Sequence, residues 1–400
     1  MLYSYNTEKL LGIKDVIIKN IETNNKSNEI YIEIPVKEQK CPCCSMVTKR
    51  VHDYRTQKIR DICGYGKQTI IVLRKRRYRC LNCGKCFYEK VSFLPKYQRM
   101  TRRLVEFVID ELRNESSFTS VAKRMSLSVS TVIRIFDIIE YGKPKLPKVL
   151  SIDEFKGSAG SEKYQCIITD PENRVVLDIL PKRYSYYLTS YFKDMDKKNV
   201  EFFVSDMWKW YAEIADTCFK NSVQIVDKYH YIRQVIWAFE AIRKEVQKMF
   251  NKTHRKYFKR SKSLLVKRFD YLTDEQKQQV NVMLYVSPKL CSAHFLKELF
   301  FKVLDTTDKD TAKKLMSEWI LAAQASGIPN FKNCANTFIN WSKGILNSFD
   351  YPYTNGFTEG CNNKIKVLKR NAYGYRNFNR FRKRILHMFS HQKDKIMAAV

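Results

Sequence analysis

Five short apolar runs between Lys148 and Val226 constrain the fold of this 400-residue chain more than any other feature. Lys148–Ile152, Tyr164–Thr169 and Arg174–Leu180 read as three strands in direct succession. A polar and aromatic helix, about Tyr184 to Asp196, leads to a fourth strand, Val200–Ser205. Another, about Met207 to Phe219, leads to a fifth, Val223–Val226. Three of these strands run straight into an aspartate: Asp153, Asp206 and Asp227.

Three strands and then helix–strand–helix–strand is the chain order of an RNase H-like core, whose fourth strand lies beside its first. That adjacency predicts Asp153 and Asp206 at neighbouring strand ends. Asp227 competes for the second place, but the fifth strand stands one step further from the first. Glu154 follows Asp153 directly, and strand alternation points it to the opposite face. Two carboxylates so close repel each other unless a cation lies between them. Paired Mg²⁺ (or Mn²⁺) ions about 3.5–4 Å apart do this, and they suit attack on a phosphodiester.

A third carboxylate stands late in the chain, in Thr354-Asn-Gly-Phe-Thr-Glu359-Gly-Cys-Asn-Asn-Lys-Ile-Lys366, which reads as the start of a helix. From Asn355 to Arg384 there are nine Lys or Arg and a single acid, Glu359. Asn363 and Lys366 follow it by four and seven residues, so they share its helical face. The helix is expected to offer a metal ligand together with phosphate contacts from Asn363, Lys366, Lys369 and Arg370.

The charge agrees with a polyanionic partner. Lys+Arg 73 against Asp+Glu 41 gives a formal net charge of +32, which points to nucleic acid. Residues Met1 to Asn20 show no signal pattern and no apolar run is long enough for a membrane span, so a cytosolic protein is expected. In that compartment the 12 cysteines are better metal ligands or buried thiols than disulfides.

Cys41-x2-Cys44 and Cys80-x2-Cys83 can supply four thiolates to one structural Zn²⁺. Strands at Ile59–Ile62 and Gln68–Leu73, with a turn at Gly64-Tyr65-Gly66, make the pattern a zinc ribbon with a long hairpin. Cys43 could replace Cys44, Cys86 makes a second Cys-x2-Cys with Cys83, and His52 and Cys63 are outside candidates. Arg74-Lys-Arg76-Arg77-Tyr-Arg is expected to track a phosphate backbone. Thr101 to Tyr141 reads as helices. Ser117–Met125, a turn at Ser126–Ser128 and a helix at Val129–Ile139 resemble a helix-turn-helix. Ala122 sits at the small-residue position, and Ser128, Ser130, Thr131 and Arg134 are placed to reach base edges. Tyr141 to Lys148 is a linker, with Gly142 and two prolines. Arg243 to Arg268 holds eleven Lys or Arg and one acid, Glu245, on a helical stretch expected to grip DNA. Phe250, Tyr257 and Phe258 within it are read as core packing before base stacking.

Ile-Asp153, Ser-Asp206-Met-Trp, Asp227-Lys-Tyr-His230, the Glu359 block and Tyr373-Gly-Tyr-Arg-Asn-Phe378 resemble the DDE transposases of bacterial insertion sequences of the ISL3 family. The cysteine-rich front end resembles that family's zinc finger, and the likeness covers nearly the whole chain. It implies Asp153, Asp206 and Glu359 as the metal-binding triad, and binding to the element's terminal inverted repeats followed by strand cleavage and transfer. Asp227 and His230 are then neighbours that shape the site or contact DNA. The expected organisation is α/β and multidomain. Residues 1–98 form N-terminal strands and the ribbon, and 99–142 the helix-turn-helix. Residues 148–236 and 351–400 form a split catalytic core, and 237–350 an α-helical insertion. A dimer or larger assembly on double-stranded DNA, in contact with the bacterial nucleoid, is expected. The rival readings are a DNA-binding regulator with an inactive core, a structure-selective nuclease of the same fold, and a recombinase with a covalent nucleophile.

Overall fold

The computed structural model describes residues 12–94, 97–260 and 262–390, which form two units. Residues 1–11, within the stretch read above for a signal pattern, and the Tyr257 side chain lie outside what is described.

The first unit begins with β1 (Ile17–Thr23), β2 (Ser27–Glu33), β3 (Gln39–Lys40), β4 (Val47–Thr48), β5 (Val51–Gly64), β6 (Lys67–Arg79) and β7 (Cys86–Tyr88). Its main sheet runs β1-β2-β6-β5, with β7 also on β6. The long β5–β6 hairpin closes through Tyr65 and Gly66, both at positive φ (53° and 74°). Two consecutive left-handed residues give a turn whose twist matches the strands, and glycine takes the second without strain. Ile30, Ile32, Ile59, Ile71 and Leu73 form the core beneath this sheet. Three helices follow: α1 (Arg102–Glu111), α2 (Phe118–Arg124) and α3 (Val129–Asp137). Each starts at a hydroxyl cap, with Thr101, Ser117 and Ser128 accepting from Leu104, Ser120 and Thr131 backbone N–H groups. Leu104, Val108, Val121, Ala122, Ile135 and Phe136 pack between them.

The second unit holds β8 (Val149–Phe155), β9 (Gln165–Asp170), β10 (Val175–Leu180), α4 (Ser185–Phe192), β11 (Phe202–Ser205), α5 (Lys209–Cys218) and β12 (Val223–Val226). The sheet order is β10-β9-β8-β11-β12. The β8–β9 and β9–β10 pairs are antiparallel, whereas β11 is parallel to both β8 and β12. A parallel neighbour needs a crossover, and α4 and α5 supply the two crossovers. Leu150, Ile152, Ile168 and Phe203 pack against Leu188, Phe192, Tyr211 and Ile214 on one face. Ser151 and Asp153 alternate to the other.

Helices fill the chain from α6 (Lys228–Lys248) through α7 (Lys252–Arg260), α8 (Lys262–Val266), α9 (Asp274–Tyr285), α10 (Pro288–Leu304), α11 (Lys309–Ala325), α12 (Pro329–Asn340) and α13 (Ser342–Asp350). One core joins them around Phe239, Phe300, Trp319, Phe331 and Phe338. Phe258 is buried and its ring stacks on Phe250, centroids 4.6 Å apart, so these aromatics of the basic stretch are core.

The last two helices are α14 (Gly356–Asn371) and α15 (Phe378–Phe389). Residues 351–400 are expected in the catalytic core; in the structure, 367–375 and the described residues from Asn379 onward pack with the first unit. The reason is the buried face of α15. His387 Nε2 lies 2.7 Å from the Ile109 carbonyl and Nδ1 lies 2.9 Å from the Tyr141 hydroxyl. Arg384 donates to the Asn114 and Ser116 carbonyls at 3.1 and 2.8 Å, with its guanidinium over the Phe118 and Phe136 rings. The C-terminal helix is thus a fourth helix of the helix-turn-helix bundle.

Candidate functional site

The two cysteine knuckles are built alike. Ser45 N–H donates to the Cys41 carbonyl and Gly84 N–H to the Cys80 carbonyl, at 3.0 and 3.1 Å. Ser45 and Gly84 both take positive φ (63° and 69°). Thr48 Oγ1 ties the knuckles by donating to the Arg79 carbonyl at 3.1 Å. Cys41 Sγ lies 3.6 Å from Cys83 Sγ, and Cys44 Sγ 3.4 Å from Cys80 Sγ. Tetrahedral zinc with Zn–S near 2.3 Å holds its sulfurs about 3.8 Å apart, so this set fits the ion. Backbone N–H groups lower the thiol of Cys41 (first from Cys44) and that of Cys44 (first from Met46), the latter to about 6, whereas at Cys83 the Lys85 N–H is outweighed by burial and the neighbouring thiols, which push the thiol up to about 12. Cys41, Cys44, Cys80 and Cys83 gather as one cluster, of which Cys43, Cys86, His52 and Cys63 are not members.

The expected DNA contacts divide. Ser130 and Arg134 are exposed on α3, while Thr131 is half-buried with its hydroxyl 2.8 Å from the capping Ser128 Oγ. Arg74 is exposed, stacked 3.9 Å from the Tyr54 ring centroid and paired with Glu33. Arg77 is half-exposed and pairs with Asp53 at 3.4 Å. Arg76 is a correction: its side chain is 5% exposed and paired with Glu33 and Glu89 at 3.2 and 3.3 Å. It holds the sheet together and cannot reach a phosphate backbone. Asn363, Lys366 and Arg370 are exposed on α14 and Lys369 is half-buried. Lys366 Nζ donates to Asn363 Oδ1 at 3.2 Å, as their helical spacing predicts.

In the second unit, β8 and β11 pair in parallel with Val204 opposite Ser151. Asp153 and Asp206 each follow this pair by two residues, and the charge of Asp153 is felt at Asp206. Asp153 is buried; its Oδ1 accepts from Glu154 N–H (2.7 Å) and its Oδ2 from Asn362 Nδ2 (2.8 Å). Burial pushes its carboxyl up to about 7, and the charges of Glu154, Glu359 and Asp227 add to this while the Glu154 N–H opposes it. Burial, then Asp153 and Glu154, push Asp206 up to about 8, with Arg183 and Arg233 opposing. Asp206 Oδ1 is buried without a hydrogen-bond partner.

Glu359 stands in the first turn of α14, on the exposed rim of this site. A buried polar network fixes that turn. Ser151 Oγ lies 3.1 Å, and Thr169 Oγ1 2.7 Å, from Thr358 Oγ1. Ser151 also donates to Asn355 Oδ1, and Asn355 N–H donates to Asp227 Oδ1 at 2.8 Å. Burial raises the Glu359 carboxyl, Asp227 adds to this, and Arg233 and Lys366 offset it. The groups that feel Glu359 most directly are Asp153, Asp227 and His230. Asp227, His230 and Glu359 have ligand atoms within 4.8 Å of one another, a closer set than Asp153, Asp206 and Glu359. Glu359 thus gathers with Asp227 and His230, Asp206 feels the charge of Asp153, and Asp206 and Asp227 each keep a buried oxygen without a partner. Such an arrangement fits a divalent cation, which satisfies those oxygens and removes the repulsion.

Several contributors escaped the sequence reading. Asn355, Thr358 and Asn362 position the glutamate helix, although nothing local marks them. Arg233 stacks on the Tyr229 and Trp237 rings, at 5.2 and 4.3 Å to the centroids, and opposes the raised Asp206 and Glu359 carboxyls. Its spacing from Trp237, one helical turn, is the signal that was available.

Comparison with known proteins assigns these parts to one family. Residues 37–83 match the zinc-finger of transposase IS204/IS1001/IS1096/IS1165, and 89–137 the helix-turn-helix domain of transposase family ISL3. Residues 150–385 match the ISL3 DDE transposase model. The chain is 26% identical over 368 residues to the transposase for insertion sequence element IS1001 of Bordetella parapertussis, covering 89% of this chain and 90% of that one. It is 25% identical over 198 residues to the transposase for insertion sequence element IS1557 of Mycobacterium tuberculosis, covering 43% of this chain and 44% of the relative. The core model alone takes in more than half of the sequence, and on that ground the chain belongs to the ISL3 family of transposases.

Proposed function

We propose that this transposase binds the terminal inverted repeats of its insertion sequence and cuts and rejoins DNA strands at a site formed by Asp153, Asp206 and Glu359 in an RNase H-like core. The observation that supports this reading is the parallel pairing of β8, which carries Asp153, with β11, which Asp206 follows, together with the bond from Asn362 of the Glu359 helix to Asp153. Bound Mg²⁺ (or Mn²⁺) ions, in a pair, supply activation of the attacking oxygen and stabilisation of the leaving oxygen. The protein's own residues do the rest. Asn362 orients Asp153, and the Ser151–Thr169–Thr358 network orients the turn that carries Glu359. Arg233, held by its aromatic stack, offers a guanidinium to the scissile phosphate.

End recognition falls to α3, with Ser130 and Arg134 toward base edges, while Arg74, Arg77, Asn363, Lys366, Lys369 and Arg370 meet phosphates. Residues 237–350 serve as an all-α insertion that grips flanking DNA. The zinc site is structural. No described helix is long and apolar enough to cross a membrane, and the proposed workplace is the nucleoid, as a dimer or larger assembly on double-stranded DNA. The test is direct. DNA flanking the gene should carry inverted repeats, and the protein should nick a duplex bearing them only with Mg²⁺ or Mn²⁺. Metal-independent nicking, or nicking indifferent to the repeats, would overturn the reading.

A further inference from the structure

Asp227, His230 and Glu359 meet from three places: the end of β12, the first turn of α6 and the first turn of α14. His230 Nε2 lies 4.0 Å from Asp227 Oδ2 and 3.9 Å from Glu359 Oε1. Both distances are too long for hydrogen bonds. They suit atoms sharing an ion, since two ligands each about 2.1 Å from a cation lie roughly 3.0–4.2 Å apart. Two further observations point the same way. Asp227 is 3% exposed and immediately precedes α6, yet its side chain makes no cap hydrogen bond to that helix. One of its oxygens accepts from Asn355 N–H while the other, Oδ2, is buried without a partner. His230 Nε2 is likewise buried without a partner. An imidazole serving only as a hydrogen-bond donor to either acid would sit within about 3.2 Å of it.

We propose that Asp227, His230 and Glu359 form a divalent-cation subsite with one nitrogen and two oxygen donors, so that one metal position of the active site is ligated by an imidazole and prefers Mn²⁺ to Mg²⁺. Mg²⁺ favours all-oxygen surroundings, whereas imidazole raises affinity along the transition series. The inference rests on the reading of Glu359 as a metal ligand and adds Asp227 and His230 to it. It makes Glu359 the ligand common to an oxygen-rich position on the Asp153 side and a mixed position on the Asp227 side.

The experiment is pulsed electron paramagnetic resonance of Mn²⁺ bound to the full-length, zinc-loaded protein without DNA, alongside Mn²⁺ and Mg²⁺ titrations. Wild type should show ¹⁴N coupling from one imidazole. His230→Gln and His230→Asn should lose that coupling and bind Mn²⁺ about 10–100-fold more weakly, with Mg²⁺ binding changed by less than about 3-fold. Glu359→Gln should also weaken the nitrogen-coupled ion. Both histidine variants should keep the wild-type melting profile, so that a lost signal reports ligation rather than folding. Oxygen-only Mn²⁺ in wild type that is lost in Glu359→Gln would overturn the imidazole site while leaving the Asp153–Asp206–Glu359 reading standing. Nitrogen coupling that persists in both histidine variants, or that ignores Glu359→Gln, would overturn it too. Failure of wild type to bind either metal would defeat both readings.

Discussion

Asn362 Nδ2 donates to Asp153 Oδ2 across 2.8 Å, joining residues 209 positions apart in sequence. The bond ties the glutamate helix to the first core strand and fixes the face that Asp153 presents. Asn362→Ala should lower strand cleavage about 10–100-fold, the usual cost of losing a group that orients a metal ligand. Binding to the element ends, followed by gel shift, should change little. Cleavage at the wild-type rate would show that the tie is dispensable.

The raised carboxyls make metal binding pH-dependent. Asp153 at about 7 and Asp206 at about 8 are largely protonated in mildly acidic solution. A cation must displace those protons, so Mg²⁺ affinity should climb with pH and level off above the higher value. The same shifts set stability in the metal-free protein. A carboxyl raised above its unfolded value favours the fold while protonated, and that contribution is lost as pH rises toward 8. Melting temperature without metal should therefore fall over this window and recover with added Mg²⁺. Calorimetry in two buffers of different ionisation heat would count the released protons. No release near neutral pH would contradict the convergence of these acids.

Arg76 makes a different kind of prediction from its neighbours. Its guanidinium is buried against Glu33 and Glu89, so Arg76→Ala leaves the buried Glu89 carboxylate without a charged partner and Glu33 with Arg74 alone. The cost should be about 3–5 kcal/mol of stability. Arg74→Ala should instead leave melting nearly unchanged and flatten the salt dependence of DNA binding. If Arg76→Ala melted like wild type, the ion-pair assignment would fail.

His387 places an acid-sensitive joint in the helix-turn-helix bundle. The Ile109 carbonyl can only accept, so Nε2 carries the proton and Nδ1 accepts from the Tyr141 hydroxyl. Burial lowers the His387 pKa to about 4. The unfolded imidazole charges below about 6.5, while the folded one resists charging. Stability present above 6.5 is therefore lost as pH falls toward 4, by an amount on the order of 3 kcal/mol. Replacement by Gln should flatten that part of the curve, as read by urea melts across the window. An unchanged slope would place the acid sensitivity elsewhere.

Local pattern made the sheet of the second unit legible. Each strand is an apolar run bounded by turn residues, and the observed β9, β11 and β12 fall within two residues of the expected spans. The serine turn at Ser126–Ser128 likewise marked the start of α3. Arg76 was misread because alternation does not separate it from Arg74, two residues away on the same strand face. Only the distant Glu89, carried beside it by β7, decides which one is drawn inside. The packing of the C-terminal helix was hidden for the same reason: Phe381, Ile385 and Met388 announce an amphipathic helix but not its partner. At the candidate site the aspartates were visible at strand ends. The tie from Asn362, the threonine network and the closeness of His230 to Glu359 are long-range, and local sequence does not encode them.

The most direct test of the account is cleavage of an element-end duplex by Asp153→Asn, Asp206→Asn and Glu359→Gln, each checked for end binding and melting. All three should bind ends as wild type does and lose Mg²⁺-dependent cleavage by at least about a thousandfold, the scale of removing preorganised charge from a reacting centre. Substantial cleavage by any one of them, in protein that folds and binds normally, would contradict its place in the catalytic site.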